Sequence, residues 1–507
     1  MKEIPATQVY QYVNKGVTFF MRGEYDLVII GGSYTARYAA GMAAQQKIRV
    51  ALVEPNNVKI QPFSLGEIYQ AYQNLPSLAG RPSVAEQYRG DTITLDQSKR
   101  LRQPQRKRSP KESEFLHYYQ RVNNFLESDF DLPELSQLGV DVIIGRGSFQ
   151  KLPQLAFVID KRILRSQRYL LAPELISVLP EIPGLEESSY TIPADLVSDL
   201  KNNLEINLEN SQESLAQSWI VMGNPYVGVE MSQLLRNLGK TVTLVSPKPR
   251  LLPQEEPEAN ALIQGAIEAA GIRLLTHSPV TLIRYLEGKS WIQAGDQAIE
   301  AEKLLLCPRQ IPQTTGLNLA AAGVEVNRHG VVVNQYLQTT NSHIYACSDQ
   351  NGLGAYQGAI ALKNALILPI FPVNYHHQPR IISTQPLFAQ IGSTEQEARQ
   401  RYGKQVITLR EYVKNQPLAQ MQGDTTGFCQ LIIHSNGRIL GGTIVGTHAR
   451  EIISLIAFAM RAGLKVDHLA KLPETNGSLL QRTAAQGLTN KSKFYEIWQE
   501  LKQRFRG

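Results

Sequence analysis

Two short glycine turns hold the residues whose types and spacing could do chemistry. The first lies in "YDLVIIGGSYTARYAAGMAAQQKIRVALVEP" (25–55), where Gly31, Gly32, Ser33 and Ala36 follow an apolar run and Glu54 closes the next one. A G-x-G-x-x-G turn suits a dinucleotide for physical reasons. Its first glycine makes the turn, its second lets the backbone approach a pyrophosphate, and its third lets a helix pack on the strand. The phosphates then meet free N–H groups at the helix N-terminus. Ala36 is an accepted third residue. Ser33 adds a Cβ and a hydroxyl where the phosphate should pass. Glu54 suits a bidentate bond to ribose hydroxyls. The segment reads as a working adenine-dinucleotide site or as the vestige of one.

The second turn lies in "SWIVMGNPYVGVEMSQLLRNLGKTVTLVSP" (218–247) and carries Gly223, Pro225 and Gly228, with Tyr226 and Glu230 beside them. Pro225 has no N–H to offer and reshapes the loop. Where an acid would hold the ribose there is Ser246, followed by Lys248 and Arg250. A missing acid with nearby cations suits a 2′-phosphate, hence NADPH over NADH. The competing reading is that Lys248 and Arg250 are ordinary surface charges and that no nicotinamide cofactor binds.

Both turns need the same elements to position them: a buried strand, a helix and a second buried strand. Each strand is a short, nearly continuous apolar run, as in a parallel sheet covered on both faces. The same 23 positions separate Gly31 from Glu54 and Gly223 from Ser246, close to the spacing of the dinucleotide fingerprint. The C-terminal part differs. "QLIIHSNGRILGGTIVG" (430–446) reads as a hairpin with Asn436-Gly437 at its tip. "AREIISLIAFAMRAG" (449–463) reads as an amphipathic helix stopped by Gly463. The fold class is therefore α/β, with two Rossmann-like domains and an α+β C-terminal domain.

The 507 residues suffice for three or four domains, and 43% of them are apolar. No run of about 18 apolar residues could form a transmembrane helix, and residues 1–24 lack a signal-peptide pattern. The three cysteines, Cys307, Cys347 and Cys429, form no CxxC or CxxxxC pair, which argues against a disulfide scaffold, a zinc site or an iron–sulfur site. This predicts a reducing, cytoplasmic setting. The net charge of +7 equals the seven cations of "QSKRLRQPQRKRSPK" (97–111), which holds no acid. That run reads as a solvated loop, or as a docking element for an anionic membrane surface or an acidic protein. It has no aromatics for nucleic acid.

In combination these motifs resemble the pyridine nucleotide–disulfide oxidoreductase family. "GNPYVGVE" is similar to the family's Gly-x-Gly-Tyr-Ile-Gly-x-Glu. "TTNSHIYACSD" (339–349) is similar to its third FAD motif, and "PRIISTQPLFAQIGSTEQEAR" (379–399) to the opening of its dimerisation domain. The resemblance implies an N-terminal extension at 1–24, an FAD domain at 25–194 and 313–380, an inserted NAD(P) domain at 195–312, a dimerisation domain at 381–507, and a homodimer. It implies FAD at Gly31, Gly32, Ser33, Ala36, Glu54 and Asp349. It places Asp349 at the ribityl or pyrophosphate region, and NADPH or NADH at Gly223, Tyr226, Gly228, Glu230, Lys248 and Arg250. Tyr226 would lie over the flavin and Glu230 would steer the nicotinamide.

The departures from the family carry as much information. Its Cys-x4-Cys pair is missing; the best register puts Pro55 and Ile60 there, and no cysteine precedes Cys307. Its His-Pro-Thr-x-x-Glu segment reads Asn476-Gly477-Ser478 with Gln481, neither of which titrates near neutral pH. Its Ala-Thr-Gly turns read Ala172-Pro173-Glu174 and Cys307-Pro308-Arg309, and its Gly-Asp reads Ser348-Asp349. No catalytic residue and no metal ligand are assigned. Two functions remain: a flavoprotein oxidising NAD(P)H toward a quinone, dye or protein acceptor, or a non-catalytic dimeric binding protein, a pseudoenzyme.

Overall fold

The computed structural model describes residues 24–56, 64–73, 112–127, 131–198, 216–473 and 478–487. The basic run 97–111, Ile60 and Asn476 lie outside them. The chain divides into two units: 1–62, 126–177 and 310–373 form the first, and 63–125, 178–309 and 374–507 the second.

The first unit is built on β1 (Tyr25–Ile30), α1 (Tyr34–Gln45) and β2 (Val50–Glu54). β1 lies at the centre of a five-stranded sheet, between β2 and the strand Ser166–Leu171. Ile344–Ala346 and Asp141–Ile144 form the edges, and all pairs are parallel. Alternate residues serve opposite faces. Leu27, Ile29, Val50 and Leu52 pack with α1 and the helix Gly354–Leu366. Val28, Ile30, Ala51 and Val53 pack toward Phe149 and Phe157 of an antiparallel three-stranded sheet. Both faces are covered, which is why these strands read as unbroken apolar runs. Burying each valine, leucine or isoleucine among them contributes about 1.5–3 kcal/mol.

The second unit repeats the pattern with β3 (Ser218–Gly223), α2 (Pro225–Asn237) and β4 (Thr241–Val245). Its parallel sheet runs in the order Arg273–Leu275, β4, β3, Lys303–Cys307. The helix Leu65–Gln73 packs on α2 in the same core. The C-terminal part is a five-stranded antiparallel sheet with Phe428–His434 and Ile439–Val445 as its central hairpin. Gly437 has φ of 88°, the left-handed conformation the Asn-Gly tip requires. The helix Ala449–Arg461 presses Ile453, Ile456 and Ala459 into this core, and Gly463 (φ 67°) follows it. Among the described residues no helix is long and apolar enough to cross a membrane.

Candidate functional sites: two dinucleotide cradles

In the first unit the turn after β1 keeps the close approach that a dinucleotide fold needs. Gly31 has φ of 141°, and a Cβ there would collide with the Ala172 carbonyl and lie 2.6 Å from Pro173 N. Ala36 is fully buried against the sheet. Ser33 turns the hydroxyl that the sequence adds to this turn toward the Ala172 carbonyl. It is the N-cap of α1, and its hydroxyl is turned inward. It donates to Ala172 O at 2.7 Å and accepts from Ala36 N–H at 3.1 Å. A serine therefore replaces the glycine by becoming a helix cap.

Three carboxylates surround this turn. Glu54, 2% exposed, does not stand open for a ribose alone. Arg37 on α1 holds it bidentately, Nε to Oε2 at 2.9 Å and Nη2 to Oε1 at 2.7 Å. Asp349 accepts a hydrogen bond from the Thr35 hydroxyl. Burial raises its pKa, opposed by bonds from Thr35, Ser33 and Tyr34 at the start of α1. Glu174 reaches Gly32, whose N–H donates to Oε2 at 3.4 Å. Gly31, Gly32, Ser33, Ala36, Glu54 and Asp349 are thus gathered at one end of the sheet. Arg37 and Glu174 join them as residues that motif spacing did not assign to the site.

In the second unit Gly223 has φ of 117°, and a Cβ there would collide with Cys307 O. Gly228 is less demanding, since its Cβ would meet Leu244 at an ordinary 3.5 Å. Pro225 opens α2 at its first turn, where a missing N–H does not break the helix, and Asn224 caps it by accepting from Tyr226 N–H at 3.0 Å. Lys248 is exposed beyond β4, whereas Arg250 is folded back to donate to Pro253 O at 3.0 Å. Ser246 is buried and accepts from Lys248 N–H at 3.2 Å.

Tyr226 is held by partners that the motif did not name. Its hydroxyl donates to Glu255 Oε1 at 2.7 Å, and Arg380 lies over its ring at 5.5 Å. Arg380 also pairs with Glu255 Oε2 at 2.7 Å. Burial, and then the Glu255 charge, raise the Tyr226 phenol pKa. Glu230 accepts from Ser383 N–H at 2.7 Å and from the Ser64 hydroxyl at 3.5 Å. A Cβ on Gly66 would lie 2.6 Å from Glu230 Oε2. Enclosure by these elements pushes the Glu230 carboxyl up to about 7; the Glu67 charge adds to this, while the bonds from Ser383 and Ser64 and the charge of Arg450 oppose it.

All three cysteines are free and buried. Burial pushes Cys307 and Cys429 up to about 12 and Cys347 higher still. Gln481 donates its side-chain amide to Ala470 O at 3.3 Å.

Comparison with known proteins agrees with this architecture. Residues 25–362 match the family described as "Pyridine nucleotide-disulphide oxidoreductase", and residues 378–475 match its dimerisation domain. The mercuric reductase of Staphylococcus aureus is 28% identical over 489 residues, covering 92% of this chain and 82% of that protein. The dihydrolipoyl dehydrogenase of Mycobacterium bovis is 30% identical over 280 residues, covering 52% and 60%. Among solved structures, the flavoprotein disulfide reductase RclA from Escherichia coli superposes with a TM-score of 0.73 at 20% identity, covering 92% of this chain and all of that one. LpdA from Mycobacterium tuberculosis gives 0.73 at 21%, covering 91% and 99%. With the family's FAD-type and NAD(P)-type folds both present and most of its length matched, this chain belongs to the pyridine nucleotide–disulfide oxidoreductase family.

Proposed function

We propose that this chain is a homodimeric, FAD-holding NAD(P)H oxidoreductase that has abandoned the disulfide route of its family. FAD with a nicotinamide nucleotide is the family's cofactor set. The observation that carries the proposal is the state of the thiols. Disulfide exchange, and presentation of a soft metal ion, both need an accessible thiolate. Cys307, Cys347 and Cys429 are buried, and each is held protonated well above neutral pH.

The inward Ser33 hydroxyl and the Gly31 close approach support a turn that accepts a pyrophosphate. Gly31, Gly32, Ser33 and Ala36 would hold the FAD pyrophosphate, Glu54 the adenosine ribose and Asp349 the ribityl side. Gly223, Gly228, Tyr226 and Glu230 would hold the nicotinamide nucleotide. Lys248, exposed beyond β4, would face a 2′-phosphate, with Arg250 behind it. Bound flavin supplies hydride and electron transfer without a protein nucleophile. The chain need only bind, orient and admit an acceptor such as a quinone, a dye or a protein. The boundaries 25–194, 195–312, 313–380 and 381–507 are the proposed division of this work. The exposed apolar side chains of Met421, Leu455 and Phe458 in the C-terminal part support pairing of two copies there.

The test is a spectrum of the purified protein between about 350 and 500 nm, before and after anaerobic NADPH. Flavin absorbance that bleaches, with no NADPH oxidation driven by disulfides or Hg(II), is the expected result. A protein that takes up no FAD, or one that reduces a disulfide at rates matching its quinone turnover, rejects the proposal.

A further inference from the structure

The turn Ala172-Pro173-Glu174 places an acid where the family resemblance expects a glycine. Its position is built, not incidental. The strand Ser166–Leu171 runs parallel beside β1, so the residues after it arrive at the Gly31 turn. The Ala172 carbonyl lies against Gly31 and receives the Ser33 hydroxyl. Pro173 fixes its own φ, and Gln313 N–H donates to Glu174 O at 2.8 Å. The backbone of residue 174 is therefore pinned at the mouth of the turn. Its half-buried side chain reaches Gly32 N–H at 3.4 Å. That is a long hydrogen bond, one that keeps the carboxylate near without locking it.

Gly32 N–H belongs to the turn that this fold offers to a pyrophosphate. A carboxylate oxygen is an acceptor of the same kind as a phosphate oxygen, and both are anionic. The cation carried by α1, Arg37, is already bidentate on Glu54. It therefore does not neutralise Glu174. We propose that Glu174 sets the FAD affinity of this chain, its carboxylate competing with the FAD pyrophosphate for the Gly32 N–H. FAD enters as Glu174 swings aside, and the residue that replaced a glycine weakens the cofactor's hold. This inference rests on the FAD reading above.

Test it by titrating FAD into the flavin-stripped full chain and its Glu174→Gln and Glu174→Gly variants, following quenching of flavin fluorescence. Glu181→Gln, at an exposed acid, changes the net charge equally and serves as control. Both Glu174 variants should bind FAD about tenfold more tightly, as expected for one charge removed from beside a doubly charged pyrophosphate in a water-accessible site. The gap from wild type should narrow between about 20 mM and 500 mM salt, which a purely structural role would not produce. Equal affinity in wild type and both variants, or weaker binding in the variants, overturns the proposal alone. FAD binding by none of the proteins overturns both it and the FAD reading.

Discussion

Replacing Glu230 by glutamine should stabilise the protein at alkaline pH and leave it nearly unchanged at acid pH. The Glu230 carboxyl is enclosed by Gly66, Ser64 and Ser383, and its folded pKa of about 7 lies above its ordinary 4.5. Between those values the folded protein keeps a proton that the unfolded chain has released. Stability from this group is therefore greatest below pH 4.5, falls as pH rises through the window, and levels off above about 7. The gap of some 2.5 units corresponds to about 3 kcal/mol at about 1.4 kcal/mol per unit. Glutamine carries the neutral form at every pH, and its side-chain oxygen can still accept from Ser383 N–H. Urea unfolding followed by circular dichroism at pH 5, 6, 7 and 8 measures the effect. The variant's midpoint should move ahead of wild type progressively, reaching the equivalent of up to about 3 kcal/mol at pH 8 with unchanged slope. A midpoint difference that does not vary across this range, or a variant less stable than wild type at pH 8, refutes the reasoning.

Gly31→Ala should cost at least about 3 kcal/mol, because its φ of 141° and the Ala172 carbonyl both exclude a Cβ. Gly228→Ala, where only Leu244 is met at 3.5 Å, should fall within about 1 kcal/mol of wild type in the same unfolding assay. Arg37→Ala leaves Glu54 buried without its ionic partner and should lower stability by about 3 kcal/mol, seen as a drop in Tm. Lys248→Glu should weaken NADPH binding about tenfold while leaving NADH unchanged, measured by cofactor titration. Equal losses for both nucleotides would remove the 2′-phosphate role.

Local signals made much of the scaffold legible. The apolar runs 27–30 and 219–222, each followed by a glycine turn, became β1 and β3, because strands covered on both faces leave no polar alternation. Asn436-Gly437 and Gly463 marked a turn and a helix end through backbone conformation alone. The absence of a cysteine before Cys307 needs no coordinates, and it removes the family's thiol pair at once.

What the sequence could not show are pairings between residues far apart in the chain. Thr35 and Asp349 meet across 314 positions, Gly32 and Glu174 across 142, and Arg380 and Glu255 across 125. The parallel order of the strands brings the first two pairs together, and the third joins the segment before the helix Pro257–Ala269 to an antiparallel strand, Arg380–Ile382. The direction of the Ser33 hydroxyl was equally hidden, since it depends on the Ala172 carbonyl arriving beneath it. So did the charge of Glu230, which follows from what encloses it and not from its place in the motif. Residue types determined by themselves that this is a fold with two dinucleotide-type turns and no cysteine before Cys307. The tertiary structure decided which acids stand in the first cradle and which are already held, because desolvation and hydrogen-bond partners exist only once the sheet has formed.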